Sequence, residues 1–180
     1  MLIRIAAAIL CPCLVSLDAA ETSTRSPRLR VLSYNIHHAE GMDRELNLGR
    51  IAGVIGSVEP DIVSLQEVDQ NVGRTSGVNQ PEELARLTEM QVVFGGNITL
   101  QGGEYGNAVL TRLPVVRSQN RLLPVIRNGE QRGVLEVEVA WPTSDDALIF
   151  LATHLDHRRD DSERRASVAV INDLIESAGD

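Results

Sequence analysis

Lysine is absent from this 180-residue chain, and all 17 basic residues are arginine. That excludes Schiff-base chemistry, which needs a side-chain amine, and the lysine of an ordinary P-loop. Cysteine is confined to Cys11 and Cys13. Aromatic residues make up 3% of the chain, too few for a platform on which successive nucleobases stack. Positive charge is the minority, 17 basic against 25 acidic residues and a formal net charge of -8. Such a balance argues against coating nucleic acid through a general basic surface but leaves a local basic site open. A long apolar run is also missing: the stretch Ile5 to Leu17 is too short to span a bilayer.

That stretch follows Arg4 and precedes the small residues Ala19 and Ala20, the layout of a secretory signal peptide over residues 1–20. A retained anchor or a lipoprotein is the alternative, although Leu10-Cys11 and Pro12-Cys13 are poor lipidation contexts. Cleavage near Ala19 or Ala20 removes both cysteines, so the expected product is exported to the periplasm or medium without disulfides. It also removes one residue of each sign, Arg4 and Asp18, and leaves the net charge unchanged. Residues 21–27 form a Ser/Thr-rich lead-in, and one domain is expected over 28–180.

Hydrophobic periodicity orders that domain. Leu29 to Ile36 reads as a strand, and Leu46 to Val58 carries apolar residues at 48, 51, 54, 55 and 58, one buried helical face that Pro60 terminates. Asp61 to Val68 is a short apolar strand, and Pro81 to Met90 a helix with proline and two glutamates in its first turn. Gln91 to Ile98, Tyr105 to Thr111, Val115 to Leu123, Arg132 to Trp141 and Ala147 to Thr153 all read as extended. The cleanest alternation sets Leu135, Val137, Val139 and Trp141 against Glu136, Glu138 and Ala140. A last helix runs from about Asp160 to Ser177. This interleaving favours an α/β architecture of packed sheets with helices outside.

Polar residues at the ends of apolar strands are the candidates for chemistry. Asn35, Glu67 and His154 occupy such positions, and if their strands are compatible neighbours an amide, a carboxylate and an imidazole meet at one rim. That set suits a hard divalent cation and a phosphate. Taken singly, each is also an ordinary turn, cap or core residue. His37, His38 and His157, with Asp156, offer the ligand types of a softer zinc site, but their spacing is loose. Substrate contact is the preferred functional reading for His38 and His157, and plain exposure in loops the ordinary one. Arg158-Arg159 and Arg164-Arg165 could meet an anionic headgroup or simply be a solvated face.

In order along the chain stand Ser33-Tyr34-Asn35-Ile36, Asp61-Ile62-Val63-Ser64-Leu65-Gln66-Glu67-Val68, Tyr105-Gly106-Asn107-Ala108-Val109-Leu110-Thr111-Arg112-Leu113-Pro114 and Thr153-His154-Leu155-Asp156. This series resembles the endonuclease/exonuclease/phosphatase superfamily, the deoxyribonuclease I-like fold, over essentially all of Arg28 to Asp180. The resemblance implies a four-layer α/β-sandwich, two packed β-sheets with outer helices, and a metal-dependent phosphoesterase site at one end. It makes Glu67 the ligand of Mg²⁺ or Mn²⁺ and Asn35 the amide beside metal and phosphate. It makes His154 the imidazole that contacts the scissile phosphate or protonates the leaving group, and Asn107 the residue that holds it. Arg132 becomes a phosphate-facing arginine. The expected partner is a phosphate ester, whether nucleic acid, lipid headgroup or inositol phosphate, and the expected state a monomer.

Two segments of that family's pattern, Gly-Asp-x-Asn and Ser-Asp-His, do not occur here, and with them go the groups the resemblance assigns to water activation. Gly179-Asp180 follows a helix with only Ala178 between, so Asp180 reads as part of a loop before a strand. The fold is therefore expected without its C-terminal strands. Three outcomes are open: a phosphodiesterase, a phosphate-binding protein without turnover, or an unstable remnant with exposed sheet edges.

Overall fold

A computed structural model describes residues 28–142 and 147–178. The expected signal peptide (1–20), the lead-in (21–27) and the loop assigned to Asp180 lie outside them. The described elements are β1 (Val31–Asn35), α1 (Leu48–Val58), β2 (Ile62–Gln70), α2 (Gln80–Thr88), β3 (Gln91–Leu100), β4 (Gly103–Thr111), β5 (Val115–Leu122), β6 (Gly133–Ala140), β7 (Ala147–Thr153) and α3 (Ser162–Ala178), with short 3₁₀ turns at His37–Ala39 and Gly73–Thr75.

Local chemistry sets the helix ends. Asn47 caps α1, its side-chain oxygen accepting from the Arg50 N–H, and the helix closes at Glu59 in the left-handed region just before Pro60. Asn79 does the same for α2 through the Glu82 N–H, with Pro81 and two glutamates in the first turn.

The strands form two sheets, ordered β1-β2-β4-β3 and β5-β6-β7. Only the β1–β2 pair is parallel; the other pairs are antiparallel. Ile51, Ile55 and Leu84 of the helices pack on Val63, Leu65, Val68, Ala108 and Leu110. Ile62 and Val109 of the same strands join Leu135, Val137, Val139 and Ala152 between the sheets. β2 and β4 are thus buried on both faces, and their short apolar runs, Ile62-Val63 and Ala108-Val109-Leu110, lie where both cores meet them.

On the far side, α3 lies over the second sheet across a groove of about 850 Å³. Glu136 and Glu138, the polar members of the alternation along β6, face this groove and pair there with Arg117 and Arg121. The order helices, sheet, sheet, helix is the four-layer sandwich expected. One juxtaposition differs: β7 is not a neighbour of β1 and β2 but belongs to the other sheet. The three strand ends meet across the sandwich instead of along one sheet.

The first sheet breaks its register where Glu67 stands. Pairing with β4 shifts between Leu65 and Val68, and Glu67 adopts a left-handed φ of 60°. Val63 and Leu65 point to the helix-side core, and Val68, three residues on, points there too. The extra residue absorbs the odd step, so Glu67 leaves the core face that simple alternation would give it.

Close approach to a neighbouring strand makes Gly106 obligatory. A Cβ on Gly106 would collide with the Gly95 carbonyl of the adjacent strand, whereas Gly53, exposed on α1, has nothing within 4 Å of an added Cβ. Gly106→Ala should therefore cost about 1–3 kcal/mol, and Gly53→Ala should gain up to about 1 kcal/mol. Thermal unfolding of the two variants checks the contrast; an unchanged Tm for Gly106→Ala would show that β3 and β4 can separate without penalty.

Candidate active site

The bulge carries the Glu67 carboxylate to the end of the sandwich, where the Asn35 Nδ2 donates to its Oε1 at 2.7 Å. The same amide works in a second direction, its Oδ1 accepting the backbone N–H of His37 at 3.0 Å. Asn35 therefore fixes one carboxylate oxygen and the turn that follows β1, leaving the other oxygen of the half-buried Glu67 for a ligand. Asn35 thus orients the carboxylate and the turn, while its Oδ1, with one lone pair taken by the His37 N–H, keeps a second for a ligand.

His154 arrives from the end of β7 with its Nε2 4.0 Å from Glu67 Oε1. Its Nδ1 lies 2.9 Å from Nη1 of Arg132, which is itself buried and paired to Glu130 at 2.7 Å. A guanidinium only donates, so Nδ1 must accept and the proton resides on Nε2, facing the site. Burial, and then the Arg132 charge, hold this imidazole below its ordinary pKa. A neutral ring with Nε2–H directed outward suits hydrogen bonding to a phosphate oxygen better than delivering a proton to a leaving group. Arg132, expected to face phosphate, works first through His154. Its Nε is buried with no partner among the described residues.

Asn107 does not hold the imidazole as the resemblance implied. It is buried, and its Nδ2 donates to the Gly133 carbonyl at 3.1 Å, an oxygen that also accepts from Thr153 Oγ1 at 2.9 Å. Asn107 thus ties β4 of one sheet to β6 of the other beneath His154, and Arg132 supplies the contact to the ring.

The turn after β1 is the least expected part of the site. His37, His38 and Ala39 all have left-handed backbones, with φ of 46°, 43° and 66°. Such conformations cost non-glycine residues of order 1 kcal/mol each and persist only when surroundings impose them. Here the restraints are the Asn35–His37 bond, the Gln80 Nε2 donating to the His38 carbonyl at 2.7 Å, and the Asn47 N–H donating to the Ala39 carbonyl at 3.0 Å. The His37 and His38 rings lie 4.4 Å apart, and with Glu67 they offer ligand atoms all within 4.8 Å of one another. The His38 side chain is only 12% exposed, which leaves little of it for the substrate contact expected. Burial, then Arg74, keep it below the usual histidine range.

Several residues here were not anticipated. Asp69, fully buried two residues beyond Glu67, accepts from Arg74 Nε and Nη2 at 2.8 and 2.7 Å and from Thr75 Oγ1 at 3.3 Å. Arg74 lies 5.3 Å over the Tyr105 ring. Burial, then the Glu67 and Glu130 charges, push the Tyr105 phenol up to about 12, so it stays a neutral donor. A carboxylate inside an apolar strand needs a cation, and Arg74 is the next one along the chain; that was the legible signal. Nothing local marked Glu130 or Tyr105.

The remaining candidates stay outside the cluster. His157 is exposed after β7. Asp156 is committed to the Arg158 backbone and Nε, which removes it from any zinc set with His37 and His38. Arg158 further bonds Glu163 at 3.0 Å, and Arg165 pairs with Asp161 at 2.8 Å, so these arginines serve the α3 entrance and not a headgroup.

Comparison with known proteins agrees with the fold. The sequence profile of the Endonuclease/Exonuclease/phosphatase family matches residues 32–180. The uncharacterized protein YbhP of Escherichia coli (strain K12) is 28% identical over 165 residues, covering 87% of this chain and 64% of its own length. Among solved structures, an endonuclease/exonuclease/phosphatase from Beutenbergia cavernae DSM 12333 superposes with a TM-score of 0.70 at 28% identity, over 81% of this chain and 43% of that one. TDP2 of D. rerio, in complex with single-strand DNA product, gives 0.62 at 18% identity, over 83% of this chain and 55% of that one. The chain thus spans less than two thirds of the length of these relatives. With the sandwich, the motif order and the profile match in agreement, the chain belongs to the endonuclease/exonuclease/phosphatase family.

Proposed function

We propose that this domain belongs to a divalent-metal-dependent phosphodiesterase, exported by its N-terminal segment, and that the described residues form the half of the active site that binds metal and phosphate. The observation that carries the reading is the meeting of Glu67 with Asn35 from one sheet and His154 with Arg132 from the other.

Glu67 would hold the ion, with Asn35 fixing the carboxylate. A bound Mg²⁺ or Mn²⁺ supplies charge neutralisation at the phosphate and a more acidic water. The chain's own groups do the rest. His154 Nε2–H donates to a phosphate oxygen, Arg132 keeps the ring in that tautomer and adds positive charge, and Tyr105 offers a neutral O–H nearby. Because these donors are fixed before substrate arrives, they stabilise charge developing on the phosphoryl oxygens without reorganising. In-line attack also needs a base for water. The resemblance assigns that base to the Gly-Asp-x-Asn and Ser-Asp-His segments, which these 180 residues do not contain. Turnover is therefore proposed for a protein that carries them; the Arg132 donor that holds His154 as a neutral Nε2–H tautomer favours a second reading, in which these residues bind a phosphate ligand without hydrolysing it.

The substrate class proposed is a phosphodiester. The family and the DNA product bound by the TDP2 neighbour support a nucleic-acid ester, while the net charge of -8 argues against a long duplex track. No described helix is long and apolar enough to cross a membrane.

Three expectations follow from these roles. With bis(p-nitrophenyl) phosphate as substrate, Glu67→Gln should lower hydrolysis by more than about a hundredfold, and Asn35→Ala by about 10–100-fold, since it acts through the ligand. If wild type shows no turnover, a competition assay for phosphate binding decides for the binding reading.

The His154 Cε1 proton should titrate by NMR with a midpoint below 6.5, and Arg132→Gln should raise that midpoint by removing the neighbouring charge. The sign for stability follows. A ring favoured neutral in the fold contributes stability that is present above 6.5 and lost as pH falls toward its lowered pKa. His154→Gln should flatten that part of the Tm–pH curve.

Export predicts that the mature protein recovered from the cell exterior or periplasm starts near Glu21. N-terminal sequencing that reads Met1 there would contradict cleavage.

A further inference from the structure

The donor set around Glu67 is softer than a magnesium site requires. Mg²⁺ keeps to carboxylates and water, whereas transition ions accept imidazole nitrogen, Zn²⁺ strongly and Mn²⁺ more weakly but still more readily than Mg²⁺. Two imidazoles stand beside this carboxylate, carried by a left-handed turn with three separate hydrogen-bonded restraints. We propose that Glu67, His37 and His38 together form a transition-metal site, so that the ion bound at Glu67 is of the Mn²⁺ or Zn²⁺ class in preference to Mg²⁺. The proposal rests on the reading that Glu67 holds the ion, and it names which ion and which additional ligands.

The dimensions suit such a site. Bonds of about 2.0–2.2 Å to nitrogen and oxygen put ligand atoms about 3–4 Å apart. Three atoms no farther than 4.8 Å from one another reach that spacing by small side-chain rotations. Glu40 supplies the outer contacts: its backbone carbonyl lies 3.4 Å from His37 Nδ1 and its Oε2 lies 3.5 Å from His38 Nε2. A proton on each of those nitrogens leaves the opposite nitrogen of each ring with its lone pair, the arrangement by which a second oxygen sets the tautomer of a metal-bound histidine. Asn35 couples the two halves, since one amide holds both the carboxylate and the His37 backbone.

The test uses metal-stripped full-length protein. Mn²⁺ and Mg²⁺ are titrated by calorimetry, and the Mn²⁺ form is studied by pulsed electron paramagnetic resonance, which detects imidazole nitrogen bonded to the ion. Nitrogen modulation should be present in wild type, persist in His154→Gln, and vanish in the His37→Gln/His38→Gln double variant. The double variant should lose about 10–100-fold in Mn²⁺ affinity while its Mg²⁺ affinity changes less than about twofold. If the double variant does not fold, His37→Gln alone, at an exposed position, should weaken the nitrogen signal. Mn²⁺ bound through Glu67 without any nitrogen modulation would overturn this inference and leave the metal reading intact, as would modulation lost only in His154→Gln. Mn²⁺ binding that survives Glu67→Gln would overturn both.

Discussion

The hydrogen bond from Asn35 to Glu67 is the joint on which the site turns. It links the ends of two parallel strands at the point where one of them leaves regular pairing, and it needs the Glu67 bulge to exist. Without the bulge, residue 67 would face the helix-side core with Val63 and Leu65, where a carboxylate is costly. With it, Val68 takes the core position and the carboxylate emerges at the sheet end. Packing and function are thus solved by one extra residue, and the left-handed backbone at Glu67 is the conformational penalty that the surrounding core imposes.

Around that joint the polar side chains form two chains of contacts. One runs from Asn35 through the His37–Ala39 turn to Gln80 and back to the Asp69 N–H on β2, so the strand that carries Glu67 also braces the turn that faces it. The other runs from Glu130 through Arg132 to His154. The first is bonded to Glu67 through Asn35, and the second brings His154 Nε2 to 4.0 Å from the same carboxylate, from the opposite sheet. Asn107 explains why the sheets keep their spacing there: its bond to the Gly133 carbonyl replaces apolar contact with a directional tie at the mouth of the sandwich. Directional bonds hold a separation more sharply than dispersion contacts do, which matters where groups from two sheets converge on one site.

The elements were legible because their signals are local. Asn47 and Asn79 as caps, Pro60 and Pro81 as boundaries, and alternation through Leu135, Val137 and Val139 each act within a few residues, and the helices and strands they mark appear where expected. The rim residues Asn35, Glu67 and His154 were legible as polar interruptions at strand ends. What failed was long-range. Nothing in the spacing of β7 says that it joins the second sheet. Asn107 contacts a carbonyl 26 residues away and Arg132 an imidazole 22 away, so their partners depend on tertiary placement. The His37–His38 pair looked like a loop because left-handed residues other than glycine carry no sequence mark; the restraints come from Gln80 and Asn47, on other elements.

The exclusive use of arginine has a bearing on what the site can recognise. A guanidinium pairs with a carboxylate through a fixed fork, and this chain spends that geometry on its own acids: Arg50 on Asp43, Arg74 on Asp69, Arg86 on Glu83, Arg158 on Asp156 and Glu163. Cations so engaged leave little positive field for a polyanion to follow, and the surplus of acids over bases adds to that. The charge that reaches the site comes from Arg132 and Arg74, both held in place from behind by Glu130 and Asp69. In the function proposed, such an arrangement would read one phosphate by position and hydrogen-bond direction, not a backbone by accumulated charge, and the contacts that distinguish one diester from another would lie on the groups flanking that phosphate.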